Sequence, residues 1–292
     1  MPNVDGEGQQ GRPIDARHLL QGGGIDELDV IDAGQRLGVD DRTRARAHGR
    51  GIPLAGIHGI PMVGHVYFRS KMSRALDEVY IATCDEEIRR YAQSIGAACI
   101  MTADTHERAS DRAAEAMLKI EADSGHRTDV VVMIQGDEPM ITPEMMDLAI
   151  APLAADPSLQ VTNLMAEMQT VEEFEDPNEV KVVVDLKGNA LYFSREPIPS
   201  RKKGAKQVPM LKQVCIIPFR RDYLLKFNSL PPTPLEIIES VDMMRILEHG
   251  DRVRMVMTEA RTLSVDTPAD LARVVEMMQG DALMPKYAGT AA

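Results

Sequence analysis

The chain has no tryptophan, and its five phenylalanines and six tyrosines leave aromatics at 4% of 292 residues. Any base stacking would therefore have to use other side chains. Cysteine is scarce too. Cys84, Cys99 and Cys215 are widely spaced, form no CxxC pair and leave one thiol over from any disulfide, which points to a reducing compartment. No apolar run approaches the length of a membrane span, and the first ten residues lack the basic leader and apolar core of a secretory signal. Basic residues are outnumbered, 33 against 45 acidic, for a net charge of −12, which argues against a general nucleic-acid surface. If the substrate is anionic, the few basic residues must gather at its site. The expectation is a cytoplasmic protein with neither nucleic acid nor membrane as partner.

What is present is ordinary globular composition, 44% hydrophobic and 27% charged, in a chain long enough to bury a full core. Residues 1–50 stand apart, rich in Gly, Arg, Asp and Gln, with scattered apolar residues and no clean strand. From Gly51 the pattern alternates. Helices are predicted over 61–75, 86–95, 107–121, 222–228, 235–248 and 268–278, with another opening after Thr142-Pro143. Strands are predicted over 78–83, 97–101, 160–166 and 214–219. Strands alternating with helices of this length mean βαβ units, an α/β class and a mainly parallel sheet. Val180–Asp185 and Ala190–Ser194, separated by a turn containing Gly188-Asn189, read as a hairpin. The basic run Arg201-Lys202-Lys203 reads as an exposed loop, the Met-rich pairs as core or interface filling, and the tail from Asp281 as disordered.

The segment Val130-Val131-Val132-Met133-Ile134-Gln135-Gly136-Asp137-Glu138-Pro139 carries the most chemistry. Five apolar residues read as a strand buried on both faces, and Asp137 follows at its carboxyl end, where open α/β sheets bind ligands. Asp266 in Leu263-Ser264-Val265-Asp266-Thr267-Pro268 sits similarly, after a short apolar segment and before a helix. Two acids at two strand ends suit a hard dication shared with phosphate oxygens. Each has a plainer reading: Asp137 as a turn or cap residue, Asp266 as a helix cap beside Thr267 and Pro268.

Other segments complete a pattern. They are Pro53–Met62 with His65-Val66-Tyr67, Ile81-Ala82-Thr83, Met101-Thr102, Asp111–Glu115, Val180–Val183, Ala190–Arg195, Pro234-Leu235-Glu236, Ile238-Glu239 and Val265–Leu271. In this order, over about three-quarters of the chain, they resemble the 3-deoxy-manno-octulosonate cytidylyltransferases. The resemblance implies a Rossmann-like nucleotidyltransferase fold with a small dimerisation subdomain, spanning 51–280 between an atypical N-terminal segment and a disordered 281–292. It implies a Mg²⁺-dependent homodimer that joins the anomeric hydroxyl of a sugar acid to the α-phosphate of CTP and releases pyrophosphate, for lipopolysaccharide or capsule synthesis. Asp137 and Asp266 match its metal-binding aspartates. Arg112 and Gln135 are the candidates for the nucleotide side, and Arg195, Gln213 and Glu239 for the sugar acid.

The chain also departs from the family. Gly51-Ile52-Pro53-Leu54 fits the end of the family's nucleotide loop, with Ile52 in place of lysine, but no first strand is legible upstream. Arg46 and Arg50 are the basic residues left to serve the phosphates. Either residues 1–50 come from a shifted frame or wrong start, or the chain is a divergent homologue that binds nucleotide or sugar without catalysis. Gln213 stands where the family has histidine and Ile217 where it has tyrosine, which changes the hydrogen bonds offered to the sugar. A Kdo relative, or a CMP-sialate-type reaction, stays open on that ground.

Overall fold

The computed structural model describes residues 27–32, 52–204 and 207–289. Strand β1 (Glu27–Asp32) is followed by a tight hairpin, β2 (Gly56–Ile57) and β3 (Ile60–Pro61). Its turn takes His58 and Gly59 into the left-handed region at φ 48° and 86°. Then come α1 (Met62–Ser70), β4 (Glu78–Thr83), α2 (Glu86–Ser94), β5 (Ala98–Met101), α3 (Ala109–Ser124), β6 (Val130–Gln135) and α4 (Pro143–Ala155). Local chemistry sets several boundaries. Asp85 caps α2 by accepting from the Glu87 N–H at 2.7 Å, and α3 stops at left-handed Gly125. The second half runs β7 (Thr162–Glu167), α5 (Val171–Glu175), β8 (Lys181–Val184), β9 (Ala190–Ser194), β10 (Leu211–Val214), β11 (Ile216–Arg220), α6 (Arg221–Ser229), α7 (Pro234–Glu239), α8 (Met243–Glu248), β12 (Arg254–Thr258) and α9 (Pro268–Met277).

Two five-stranded sheets result. The first has the order β11-β6-β1-β4-β5, parallel except for antiparallel β11. Its middle strand is β1, paired to β4 on one side and β6 on the other, which corrects the expectation that no strand precedes Gly51. The second sheet, β12-β7-β10-β8-β9, is antiparallel apart from the β12–β7 pair. The mainly parallel sheet read from the sequence is thus the first of two. Strand β6 alternates between two cores: Val131 and Met133 pack in one cluster with α3 and α6, while Val130, Val132 and Ile134 pack in another with α1 and α4. It is buried on both faces, as its composition predicts.

Three further expectations need correction. The strand read over 214–219 is two strands, because at Cys215 the chain steps from the second sheet to the first. The carbonyls left over at that step are satisfied by buried Asn163, whose Nδ2 donates to Val214 O at 2.7 Å and Ile216 O at 3.3 Å, while Cys215 O accepts from Gln135 N at 3.4 Å. The helix read over 235–248 is α7 and α8, broken where Ser240 adopts φ 52°. The tail from Asp281 is not disordered through residue 289: Tyr287 is 4% exposed and stacks on Phe68 with centroids 5.5 Å apart. None of the described helices is long and apolar enough to cross a membrane.

Candidate active site

Asp137 and Asp266 are brought together by backbone. The Val265 N–H donates to the Asp137 carbonyl at 3.0 Å, so the loop after β6 and the loop before α9 run side by side at the sheet's carboxyl edge. Both residues are partly exposed. The helix-cap readings fail on geometry, while Asp137 does lie in a turn, the one that the Glu138 N–H closes on Gln135 O at 3.4 Å. Thr267, not Asp266, caps α9, exchanging hydrogen bonds with Asp270, and the residue capping α4 is Thr142, not Asp137. Among the described residues no group of three or more His, Cys, Asp and Glu side chains is placed to hold a metal by itself. Two carboxylates that leave the remaining positions to phosphate and water are the donor set that Mg²⁺ takes up, so the residues present fit that ion.

Beside the aspartates runs a cleft. One part is lined by Glu138, Gln213, Cys215 and Thr262, the other by Asp266, Asp270 and Arg273, and Asn178, Glu179 and Ser264 are common to both. Gln213 faces it with a fixed orientation. Asn163 spends its Nδ2 on three backbone carbonyls, so its Oδ1 must be the acceptor for Gln213 Nε2, at 2.6 Å. That leaves the Gln213 amide oxygen to accept a donor from a bound molecule. Lys212 and Glu179 line the same cleft as a buried ion pair at 3.0 Å, with Lys212 Nζ also donating to Thr262 O at 3.1 Å. The sequence reading missed both. A lysine and a glutamate 33 positions apart carry no pairing signal in sequence, and the pairing of β8 with β10 is what brings them together.

The remaining candidates fall into two places. Arg195 and Glu239 meet: Glu239 accepts from the Arg195 N–H at 2.9 Å, from Ser194 Oγ at 3.0 Å and from Tyr192 OH at 3.1 Å. The Arg195 guanidinium donates to the carbonyls of Glu239 and Pro177, both at 2.8 Å, tying β9 to α7 and to the segment after α5. Both residues therefore have structural work at this junction. Of the two nucleotide-side candidates, Gln135 ends β6 two residues before Asp137. Arg112 is buried near the start of α3, donating to Thr102 Oγ1 and to Ala103 O at 3.4 Å, just past the carboxyl end of β5. Arg46 and Arg50 lie outside the described residues.

Comparison with known proteins bears on this arrangement. Residues 50–279 match the family described as cytidylyltransferase. The chain is 41% identical over 238 residues to the 3-deoxy-manno-octulosonate cytidylyltransferase of Geobacter metallireducens, covering 78% of this chain and 91% of that one. The protein of the same name from Solibacter usitatus is 40% identical over 233 residues, covering 80% and 90%. Among solved structures, a CMP:2-keto-3-deoxy-manno-octonic acid synthetase complexed with CTP superposes with a TM-score of 0.75 at 35% identity, over 88% of this chain and 99% of that one. The 4-diphosphocytidyl-2C-methyl-D-erythritol synthase of Anaerococcus prevotii shares the fold, with a TM-score of 0.56 at 11% identity, over 87% and 96%.

Proposed function

The chain belongs to the cytidylyltransferase family, and we propose on that premise that it transfers CMP from CTP to a 3-deoxy-octulosonate-type sugar acid. The anomeric hydroxyl oxygen bonds to the α-phosphorus of CTP, the bond to the β-phosphate oxygen breaks, and pyrophosphate leaves. The observation that carries this reading is the Val265-to-Asp137 hydrogen bond, which sets two aspartates on adjoining loops at the ligand-binding edge of the sheet. Strand β1 supplies the sheet centre that is not legible upstream of Gly51.

Asp137 and Asp266 would hold Mg²⁺, which supplies charge neutralisation at the phosphate oxygens when bound. The chain's own part is positioning and electrostatics. Arg112 and Gln135 sit on the nucleotide side of the sheet edge. Gln213 accepts a hydrogen bond from a sugar hydroxyl or amine, with Lys212 lining the same part of the cleft. Arg195 and Glu239 shape the sugar end through the β9–α7 junction. The enzyme works in the cytoplasm as a homodimer. Exposed Leu191, Ile237 and Ile238, 55–73% accessible, supply apolar surface on β9 and α7 for a second copy.

The test is pyrophosphate release from CTP and Mg²⁺ with a panel of sugar acids. CTP-dependent release with a 3-deoxy-octulosonate is expected; release with a nine-carbon sialic acid alone would move the substrate class, and none with any acid would reject the reading.

A further inference from the structure

Helix α1 carries two buried polar residues one turn apart, His65 and Arg69, which are 0% and 1% exposed. No chemistry described above uses them. Both reach the same atom, the hydroxyl of Tyr287 in the C-terminal segment: Arg69 Nε donates to it at 3.1 Å, and His65 Nδ1 lies 2.8 Å away. The direction of the second bond is fixed. His65 Nε2 lies 2.9 Å from the carbonyl of Ile57, which can only accept, so the imidazole proton sits on Nε2 and Nδ1 accepts from the tyrosine. Burial, with Arg69 nearby, pushes the imidazole below its usual pKa and favours this neutral form.

The other ends of the network reach the loops of both candidate metal ligands. Arg69 Nη1 donates to Ile141 O at 3.1 Å, and the Ile141 N–H closes the turn after Asp137 by donating to Glu138 O at 3.3 Å. Ile57, held by His65, packs in one small cluster with Met62, Leu263 and Val265, the last of which immediately precedes Asp266 and donates to Asp137. Arg69 Nη2 and Asp281 pair at 2.7 Å and fasten the segment that carries Tyr287.

We propose that Tyr287, His65 and Arg69 are positioning residues for the cation site, bracing the loops of Asp137 and Asp266 through one shared phenolic oxygen. None of the three touches the reacting atoms. The inference rests on the reading of those aspartates as the Mg²⁺ ligands. Its content is that the segment bearing Tyr287, outside both aspartate loops, sets the spacing of the two carboxylates.

Tyr287→Phe tests it on the full chain, because it removes only the hydroxyl and keeps the ring on Phe68. Mn²⁺ replaces Mg²⁺ as the probe, and its binding to the enzyme with CTP is followed by electron paramagnetic resonance of the free ion. The half-saturating Mn²⁺ concentration is expected to rise about fivefold, the scale of one buried hydrogen bond, while the CTP KM at saturating Mn²⁺ stays within about twofold. Conservative variants of His65 give a second arm. In His65→Gln the amide nitrogen takes the place of Nε2 and keeps Ile57, whereas His65→Asn reaches only toward Tyr287. His65→Gln should therefore retain Mn²⁺ affinity better than His65→Asn. Unchanged Mn²⁺ affinity in Tyr287→Phe, or equal losses in the two His65 variants, overturns the brace. A wild-type chain that takes up no Mn²⁺ overturns the metal reading itself, and the brace with it.

Discussion

Glu236 and Arg245 face each other through a two-pronged ion pair, Nη2 to Oε1 at 2.6 Å and Nε to Oε2 at 2.7 Å, with both side chains almost wholly buried. The pair joins α7 to α8 across the break at Ser240, and Arg108 at the start of α3 reaches the same carboxylate at 3.8 Å. Glu236→Gln leaves a buried guanidinium with a neutral partner. Breaking such a pair costs about 3–5 kcal/mol, and urea unfolding should read that loss directly. Replacing both residues together with apolar ones of similar volume should restore most of the stability.

Asp137→Asn and Asp266→Asn each remove one charged donor from the candidate cation site while preserving size. Pyrophosphate release should fall about a hundredfold or more in each, since each 1.4 kcal/mol of lost stabilisation is about tenfold in rate. Because the two act on one ion, the double variant should be little worse than either alone. A steady-state assay over a range of Mg²⁺ concentrations distinguishes this from additive losses.

Gln213 offers an amide oxygen whose direction is dictated by Asn163. Gln213→Leu removes that acceptor at nearly constant volume. The KM for the sugar acid should rise about five- to tenfold while that for CTP stays level, on the scale of one neutral hydrogen bond. Equal rises in both would place Gln213 outside the sugar side.

Stability should fall in mild acid. His65 has its folded-state pKa lowered, first by burial and then by Arg69 and His58, with the Ile57 carbonyl and Asp281 opposing. A group of this kind binds its proton more weakly when folded than when unfolded, so its contribution is fully present above the unfolded value near 6.5 and is lost as pH drops below it. Tm measured from pH 7.5 to 5.5 should decline more steeply in the wild type than in His65→Gln, which has no proton to take up at that position.

Much of this was legible from composition and order. The β6 strand, its terminal aspartate and the capped start of α9 follow from β-branched runs, strand-end acids and Asp-Thr-Pro chemistry that act locally. What escaped was set by partners distant in sequence. Glu27-Leu28-Asp29-Val30-Ile31-Asp32 intersperses acids among apolar residues, a pattern unlike the continuous apolar run expected of a central parallel strand, and only its pairing with β4 and β6 identifies it. Cys215 and Ser240 break a strand and a helix without glycine or proline, so no local signal marks either break. Lys212 and Glu179 became neighbours through strand register, and Tyr287 became core by meeting a histidine and an arginine more than two hundred residues earlier.

The place of β1 also orders events in time. It is the earliest strand in the described chain, yet it occupies the middle of its sheet, with Glu27 opposite Val130 and Leu28 opposite Glu78. During synthesis this segment precedes both neighbours: one edge can pair once β4 has followed, but the other has no partner until β6 has been made. The β1–β6 pairing joins Glu27 to Val130 across the intervening β4 and β5, a non-local closure of the kind that slows folding. The segment bearing Tyr287 follows both aspartate loops in the chain, so their brace closes only after both loops have been made.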